Sequence, residues 1–302
     1  MDLAQTLADR FEEHRGPLRA VAYRMLGSVP EAEDAVQEAW LRLDRTGADG
    51  IDNLGGWLTT VTGRICLDML RSRAARREQP MSGQGDADVF VPDPVLRAVP
   101  RTDPEQEALH TDEVGLAMLV VLETLDPAER LAFVLHDMFA VPFDAIAPVV
   151  ERTPAATRQL ASRARRRVRS ATPAADPDPG RQRSAVEAFL AASRTGDFES
   201  LVAVLHPDIV LRADAGATGA GDAVTKLVRG AREVAAQAML FRRVNVRARM
   251  VLVNGTVGLV VLSEGRPLSV TGLTVEDGRI TGLYILADQE RLARLDLSGL
   301  QV

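Results

Sequence analysis

Ten residues, ATPAADPDPG at 171–180, separate two stretches of chain whose hydrophobic periods differ. Upstream, apolar residues recur every three or four positions, the spacing of one helix face. Downstream, after two further helical segments, short β-branched runs are bounded by Gly-containing turns, the spacing of strands. A Pro/Asp/Ala stretch cannot continue a helix and is typical of a domain boundary. The expected fold is therefore multidomain, an all-α half followed by an α+β half. A length of 302 residues accommodates two or three domains.

In the first half, residues 11–43 read as two amphipathic helices broken at GSVP. Leu18, Val21, Ala22, Met25 and Leu26 form the apolar face of one, and Ala32, Ala35, Val36, Ala39, Trp40 and Leu43 that of the other. Glu31, Glu33, Asp34, Gln37 and Glu38 line the second helix's outer side, which suits a basic protein partner better than phosphate. After a polar loop, WLTTVTGRICLDMLRSRAARR reads as a third helix. Its expected buried stripe is Leu58, Val61, Ile65 and Met69, and it ends in Arg71, Arg73, Arg76 and Arg77. Cations at a helix C-terminus complement the dipole, so that cluster is either structural or a nucleic-acid surface.

Residues 152–169, RTPAATRQLASRARRRVR, hold seven arginines and no acid in a chain of net charge -6. Thr153 is placed to cap a helix that opens on Pro154. Ala156, Leu160, Ala164 and Val168 would pack, leaving Arg158, Gln159, Ser162, Arg163, Arg166 and Arg169 on the other face. Such a face is a solvated charge run or a donor array for DNA. The preceding FDAIAPVV places Phe143, Ile146 and Val150 at helical spacing, so the pair reads as a helix-turn-helix. Two residues depart from an ideal motif. Pro148 lies inside the expected first helix, and Glu151 occupies a turn position where glycine would relieve a left-handed backbone.

With 46% hydrophobic and 26% charged residues, the composition is that of a soluble globular protein. Cys66 is the single cysteine, so no internal disulfide forms; no Cys/His cluster has metal-ligand spacing, and no cofactor or metal is expected. The N-terminus lacks a signal-peptide profile and the longest apolar runs, such as LAMLVVL, are too short to span a bilayer. A cytoplasmic location without a membrane partner is expected.

Taken together, AYRMLGSVPEAEDAVQEAWLRL, GWLTTVTGRICLDMLRSRAARRE and LDPAERLAFVLHDMFAVPFDAIAPVVERTPAATRQLASRARRRVR resemble the sigma-2 and sigma-4 domains of extracytoplasmic-function sigma factors, over roughly residues 8–170. The resemblance implies a protein that binds core RNA polymerase and directs promoter recognition, with no covalent chemistry of its own. It implies that Glu33, Asp34, Gln37, Glu38 and Trp40 dock on the polymerase core. The loop from Gly47 to Trp57, including Asn53, would capture an unstacked base of the −10 element. Thr60, Arg64, Asp68, Arg71 and Arg73 would lie along −10 DNA, and Arg158, Gln159, Ser162, Arg163 and Arg166 would read the −35 element. The division implied is sigma-2 over 1–77, a linker over 78–108, sigma-4 over 109–171 and a further domain over 181–302.

That further domain reads as two helices around a Gly-Asp turn, a strand, then four strands separated by NG, EGRP and EDG turns, expected to pack as helices on an antiparallel sheet. The order resembles a SnoaL-like (nuclear-transport-factor-2-like) cone, carried by one group of these sigma factors. That group has a linker motif WLPEP, approximated here by FVPDP at Phe90, Pro92, Asp93 and Pro94. Its cone motifs DGGGK and NPDKL have counterparts in DAGAT, with Asp214 and Gly216 kept and Thr218 replacing Lys, and in DQERL, with Asp288 and Arg291. The implied role is regulatory, through contact between cone and sigma domains. The same cone serves enzymes, and His206 and Asp208 with Asp214 and Asp288 are an acid/base alternative. A helix-turn-helix regulator with a ligand-binding or enzymatic cone is the other reading.

Overall fold

The computed structural model describes residues 3–77, 89–99, 114–171, 176, 178–216, 225–241, 246–297 and 300. Contacts divide the chain into two compact units, one of 1–82 with 121–171 and the other of 83–120 with 172–302. Residue Thr218 and parts of the linker lie outside the described residues.

The first unit is helical. Helix α1 spans Leu3–Leu26 and α2 Val29–Thr46, with Ser28 extended before α2, proline in its first turn and Gly47 (φ 73) closing it onto Leu43 O. Leu18, Val21, Ala22, Met25 and Leu26 of α1 meet Ala32, Ala35, Val36, Ala39 and Leu43 of α2, all buried as their spacing requires. Helix α3 (Leu54–Arg77) begins earlier than expected, because Asn53 Oδ1 accepts from the Gly56 amide at 2.9 Å. The non-helical stretch is thus 47–53, and Trp57 already sits in the first turn of α3. Leu58 and Ile65 are buried, but Val61 and Met69 are only partly so; Thr62, Cys66, Leu67 and Leu70 complete the packed face. Burial pushes the Cys66 thiol up to about 12, which leaves it inert.

The remaining helices of this unit follow α4 (Leu116–Glu123), within which the division into units falls. Helix α5 (Pro127–Phe133) runs into a π-helical turn, Val134–Met138. Gly63 of α3 faces it closely: a Cβ there would lie 3.0 Å from Leu131 Cδ1 and 3.1 Å from Leu135 Cδ1. Arg130, 2% exposed, donates through Nε and Nη2 to Arg24 O at 3.1 and 3.0 Å and pairs with Glu123 at 2.7 Å. A guanidinium so enclosed needs these partners, and here it satisfies a carbonyl near the end of α1.

Helix α6 is short, Phe143–Ile146, so Pro148 falls in the turn after it and not inside a helix as its sequence spacing suggested. The turn closes through Arg152 N–H to Ala147 O at 3.0 Å, with Glu151 left-handed at φ 56, before α7 (Pro154–Ala171). Thr153 caps α7, its Oγ1 accepting from the Ala156 amide at 3.2 Å.

The second unit is a seven-stranded sheet with helices. Its strands are β1 (Leu96–Arg97), β2 (Leu205–Asp214), β3 (Lys226–Arg229), β4 (Arg247–Val253), β5 (Thr256–Ser263), β6 (Arg266–Glu276) and β7 (Arg279–Leu286), ordered β1-β4-β5-β6-β7-β2-β3. The sheet is mixed: β2 pairs parallel with β7, whereas an all-antiparallel sheet was expected. The three hairpins close with two left-handed residues each, Asn254-Gly255, Glu264-Gly265 and Asp277-Gly278, the geometry that matches strand twist.

One face packs beneath α8 (Pro179–Thr195), α9 (Phe198–Val204) and α10 (Ala231–Phe241), around Val186, Leu201, Ile209, Val234, Leu259 and Leu283. The opposite face is also buried, and its cover comes largely from outside residues 181–302. Val91, Leu116 and Val120 join Val251, Val260, Val270, Tyr284 and Leu286 there, with Leu292 of α11 (Gln289–Leu292). The linker strand β1 extends the same sheet by pairing with β4, Leu96 opposite Val253. Among the described residues, no helix is long and apolar enough to cross a membrane.

Glu151 bears the backbone strain of the turn before α7, since a side chain costs about 1–2 kcal/mol in the left-handed region. Glu151→Val is expected to lower stability by about 1–2 kcal/mol in thermal unfolding, while Glu151→Gly leaves it unchanged or raises it.

Candidate nucleic-acid interface and linker clasp

Helix α7 buries Thr157, Ala161, Ala164 and Val168, with Ala156 and Leu160 only partly covered. Its packed stripe therefore includes a threonine, whose hydroxyl is occupied by Thr153 O at 3.0 Å. The opposite face exposes Arg158, Gln159, Ser162, Arg163, Arg166 and Arg169. Three arginines of the run are tied to carboxylates of the preceding helical segment. Glu129, with its side chain 6% exposed, accepts from Arg163 Nε at 2.7 Å and from Arg167 Nη1 at 3.0 Å, and Asp137 pairs with Arg165 at 2.6 Å. The run thus splits by function of place: 163, 165 and 167 fasten α7 to α5 and the π turn, while Arg158, Gln159, Ser162 and Arg166 stand outward. Arg163, expected among the outward readers, has its Nε committed to Glu129.

On α2, Asp34 and Gln37 are exposed. Glu33 is bridged to Arg19 at 2.9 Å and Arg15 at 3.5 Å, and Glu38 to Arg42 at 2.9 Å. Trp40 is half-buried, its ring 5.1 Å from that of Phe11. Phe11, Arg15, Glu33, Val36, Gln37 and Trp40 surround a shallow hollow of about 320 Å³ between α1 and α2. The acidic side chains are thus partly neutralised, and the aromatic and the hollow give the face shape as well as charge.

On α3, Arg64, Asp68 and Arg71 are exposed. Thr60 spends its hydroxyl on Gly56 O at 2.8 Å. Arg73 is placed differently from its neighbours: 20% exposed, it pairs with Glu31 and donates to Leu26 O at 3.2 Å. It braces the junction of α1, α2 and α3, where Leu26 closes one helix and Glu31 opens the next.

In the second unit, the linker and cone residues converge on Arg291. Its Nε donates to Asp93 Oδ1 at 2.7 Å, Nη1 to Asp214 Oδ2 at 2.8 Å and Nη2 to Val91 O at 2.6 Å, and its guanidinium lies 4.8 Å from the Phe90 ring centroid. Asp214 Oδ2 also accepts from the Val91 amide at 3.1 Å, so one linker residue is held through both its backbone groups. Asp288 Oδ1 accepts from the amides of Glu290 and Arg291 at 2.9 and 3.2 Å, fixing the helical turn that presents the arginine. Gly216 (φ 73) approaches so closely that a Cβ would stand 2.4 Å from Asp288 Oδ2. Pro92 and Pro94 are buried on either side of Asp93. All eight linker and cone residues singled out in the sequence share this site.

Asn254, read from the sequence only as a turn residue, completes the clasp. Its amide donates to Val95 O at 2.9 Å, its Oδ1 accepts from Val95 N at 3.0 Å, and its Nδ2 donates to Val114 O at 3.2 Å. Burial of a turn Asn at 3% exposure was the structural counterpart of a signal that the NG dipeptide alone does not carry.

The acid/base alternative is not assembled. His206 and Asp208 lie at the start of β2, His206 Nδ1 accepting from the Asp208 amide at 3.1 Å, and Asp214 is at the strand's other end, about 20 Å along an extended chain from Asp208. Asp214 is engaged by Arg291, and Asp288 caps α11.

A helical unit that carries an arginine-rich helix is joined in one chain to an α+β domain, and the comparisons identify both. The Sigma-70 region 2 family matches residues 10–76 and the SnoaL-like domain family residues 186–283. The ECF RNA polymerase sigma factor SigJ of Mycobacterium tuberculosis is 39% identical, covering 93% of this chain and 91% of its own. The probable ECF RNA polymerase sigma factor SigI of the same species is 36% identical over 95% of each. The crystal structure of the M. tuberculosis extracytoplasmic function sigma factor SigJ superposes with a TM-score of 0.72 and 35% identity, covering 96% of this chain and 99% of that one. The chain belongs to the extracytoplasmic-function RNA polymerase sigma factor family.

Removing Arg291 leaves Asp93 and Asp214, whose side chains are each 9% exposed, without their shared cation. Arg291→Ala is expected to destabilise the second unit by about 2–4 kcal/mol, and Arg291→Lys to recover less than half of that, because one ammonium cannot reproduce the fork of donors. Denaturant unfolding monitored in that unit checks both.

Proposed function

We propose that this protein binds core RNA polymerase in the cytoplasm, directs it to two-part promoters and initiates transcription there, with its own SnoaL-like domain modulating that activity. The observation that carries the reading is the outward face of α7, where Arg158, Gln159, Ser162 and Arg166 stand clear while their neighbours are anchored. Arginine reads guanine and glutamine reads adenine in the major groove, so this face suits base-edge recognition of the −35 element. Arg64 and Arg71, exposed along α3, suit the −10 backbone, and Asn53 and Trp57, at the start of that helix, suit contact with displaced bases. The face of α2 around Asp34, Gln37 and Trp40 suits a basic, partly apolar patch of the polymerase core.

The protein's own contribution is energetic and not covalent. Opening a duplex costs a few kcal/mol per unstacked base, and a factor that binds extruded bases better than stacked ones shifts the equilibrium toward the open state. The SnoaL-like domain acts in this reading by holding the linker between the two promoter-binding domains, residues 1–77 and 109–171. Support comes from the clasp: the FVPDP segment is bound by Arg291 and Asp214, and Val95 just after it by Asn254, side chains of the cone.

The test is reconstitution of the full chain with core polymerase on genomic fragments, with transcript starts mapped. Starts at a shared two-part promoter are expected, weakened by about 1–3 kcal/mol in binding on Arg158→Ala and altered in yield on Arg291→Ala. Binding to duplex DNA without any core association would overturn the reading in favour of an ordinary DNA-binding regulator.

A further inference from the structure

Arg158 stands apart from the anchored arginines of α7. Among the described residues it makes no ion pair; its Cζ lies 5.3 Å from the centroid of the Phe143 ring. Phe143 is itself seated. The His136 imidazole stacks on it, centroids 3.7 Å apart and planes 28° from parallel. His136 Nδ1 is 3.0 Å from Val141 O, and a carbonyl only accepts, so Nδ1 carries the proton and the ring's orientation is fixed. The π turn Val134–Met138 places His136 there, closing through Ala140 N–H to His136 O at 3.1 Å and Val141 N–H to Leu135 O at 2.9 Å.

The sequence reading used Phe143 only as an apolar residue of the first motif helix. The geometry gives its ring two contacts, the stacked imidazole of His136 and the guanidinium of Arg158. A long, exposed arginine has much rotamer freedom to lose before it can make a bidentate contact to a base. A guanidinium resting on an aromatic face is held by the ring's quadrupole and by stacking, while the donors on its rim stay available. Arg163, Arg165 and Arg167 are held by carboxylates, which occupy donors and cancel charge. The aromatic support holds Arg158 without either cost.

We propose that Phe143, seated on His136, is a positioning residue for Arg158, and that this stack sets how well α7 distinguishes −35 sequences. The proposal rests on the reading of α7 as the promoter-reading helix. It assigns Phe143 no contact with DNA; its effect passes through the arginine.

The test uses holoenzyme made from the full-length chain and core polymerase. The probes are the promoter fragment mapped from its own transcripts and the same fragment with the −35 element scrambled. The quantity read is the ratio of the two affinities. Phe143→Leu, which keeps an apolar side chain but removes the π face, is expected to lower that ratio about fivefold, and Phe143→Tyr to retain it. In an Arg158→Ala background, Phe143→Leu should change the ratio no further, since the two residues then form one unit. A side chain that merely supported the fold would add its cost in both backgrounds, and such additivity overturns the proposal. An unchanged ratio for Phe143→Leu, where Arg158→Ala does lower it, overturns the positioning role alone. An unchanged ratio for Arg158→Ala overturns the reading of α7 as well. Should Phe143→Leu not fold, Phe143→Met takes its place in both backgrounds, with the same outcomes expected and the same outcomes overturning the proposal.

Discussion

The second unit is organised around the Arg291 guanidinium. Three donor atoms of one side chain reach two carboxylates and a backbone carbonyl, and its face takes an aromatic ring. Charged groups so nearly enclosed are tolerable only when paired and hydrogen-bonded. The arrangement therefore demands that Val91 and Asp93 be present: without the linker, Arg291 and Asp214 lose part of the network that makes their burial acceptable. The apolar consequence follows the polar one. Once Val91 is fixed, it joins Val260, Val270 and Leu286 on a sheet face that residues 181–302 alone leave under-covered, and β1 continues the hydrogen-bonding pattern of β4. An exposed sheet edge is thereby paired, which removes an aggregation hazard as well as docking the linker.

Carboxylates perform a comparable task in the helical unit. Glu129 and Asp137 take up alternate arginines of α7, and Glu31 takes up Arg73 at the junction of the first three helices. A basic run is thus divided into paired and outward-standing arginines by where acids happen to lie in the fold. This division lets a chain of net charge -6 keep a locally positive helix face, where Arg158 and Arg166 stand outward beside arginines held by Glu129 and Asp137.

What was legible in the sequence follows the same logic of local against distant partners. The buried faces of α1 and α2, the Thr153 cap, the left-handed Glu151 and the three two-residue hairpins all rest on residues within a few positions of one another, and each is found where its spacing put it. The linker and cone residues were singled out through resemblance to a motif set, and the structure gathers them around one arginine. Distant partners were not legible. Strands β1 and β3 are two and four residues long, too short for a period to register, and the parallel β2–β7 pairing joins segments with four strands between them in the chain. The α7 stripe shifted because Thr157 hides its hydroxyl in its own helix, so a polar letter packs as an apolar one. Arg73 and Arg163 read like their neighbours in the sequence; only the positions of Glu31 and Glu129 tell them apart.

The central claim is that the cone holds the linker through Arg291, and hydrogen exchange at the Val91 and Val95 amides addresses it most directly. Both donate to cone side chains, Asp214 and Asn254. The account predicts slow exchange at both positions in the full-length protein, and at least tenfold faster exchange at Val91 in Arg291→Ala, where Asp214 loses its anchor. Exchange at the rate of an unstructured chain in the unmodified protein would contradict it.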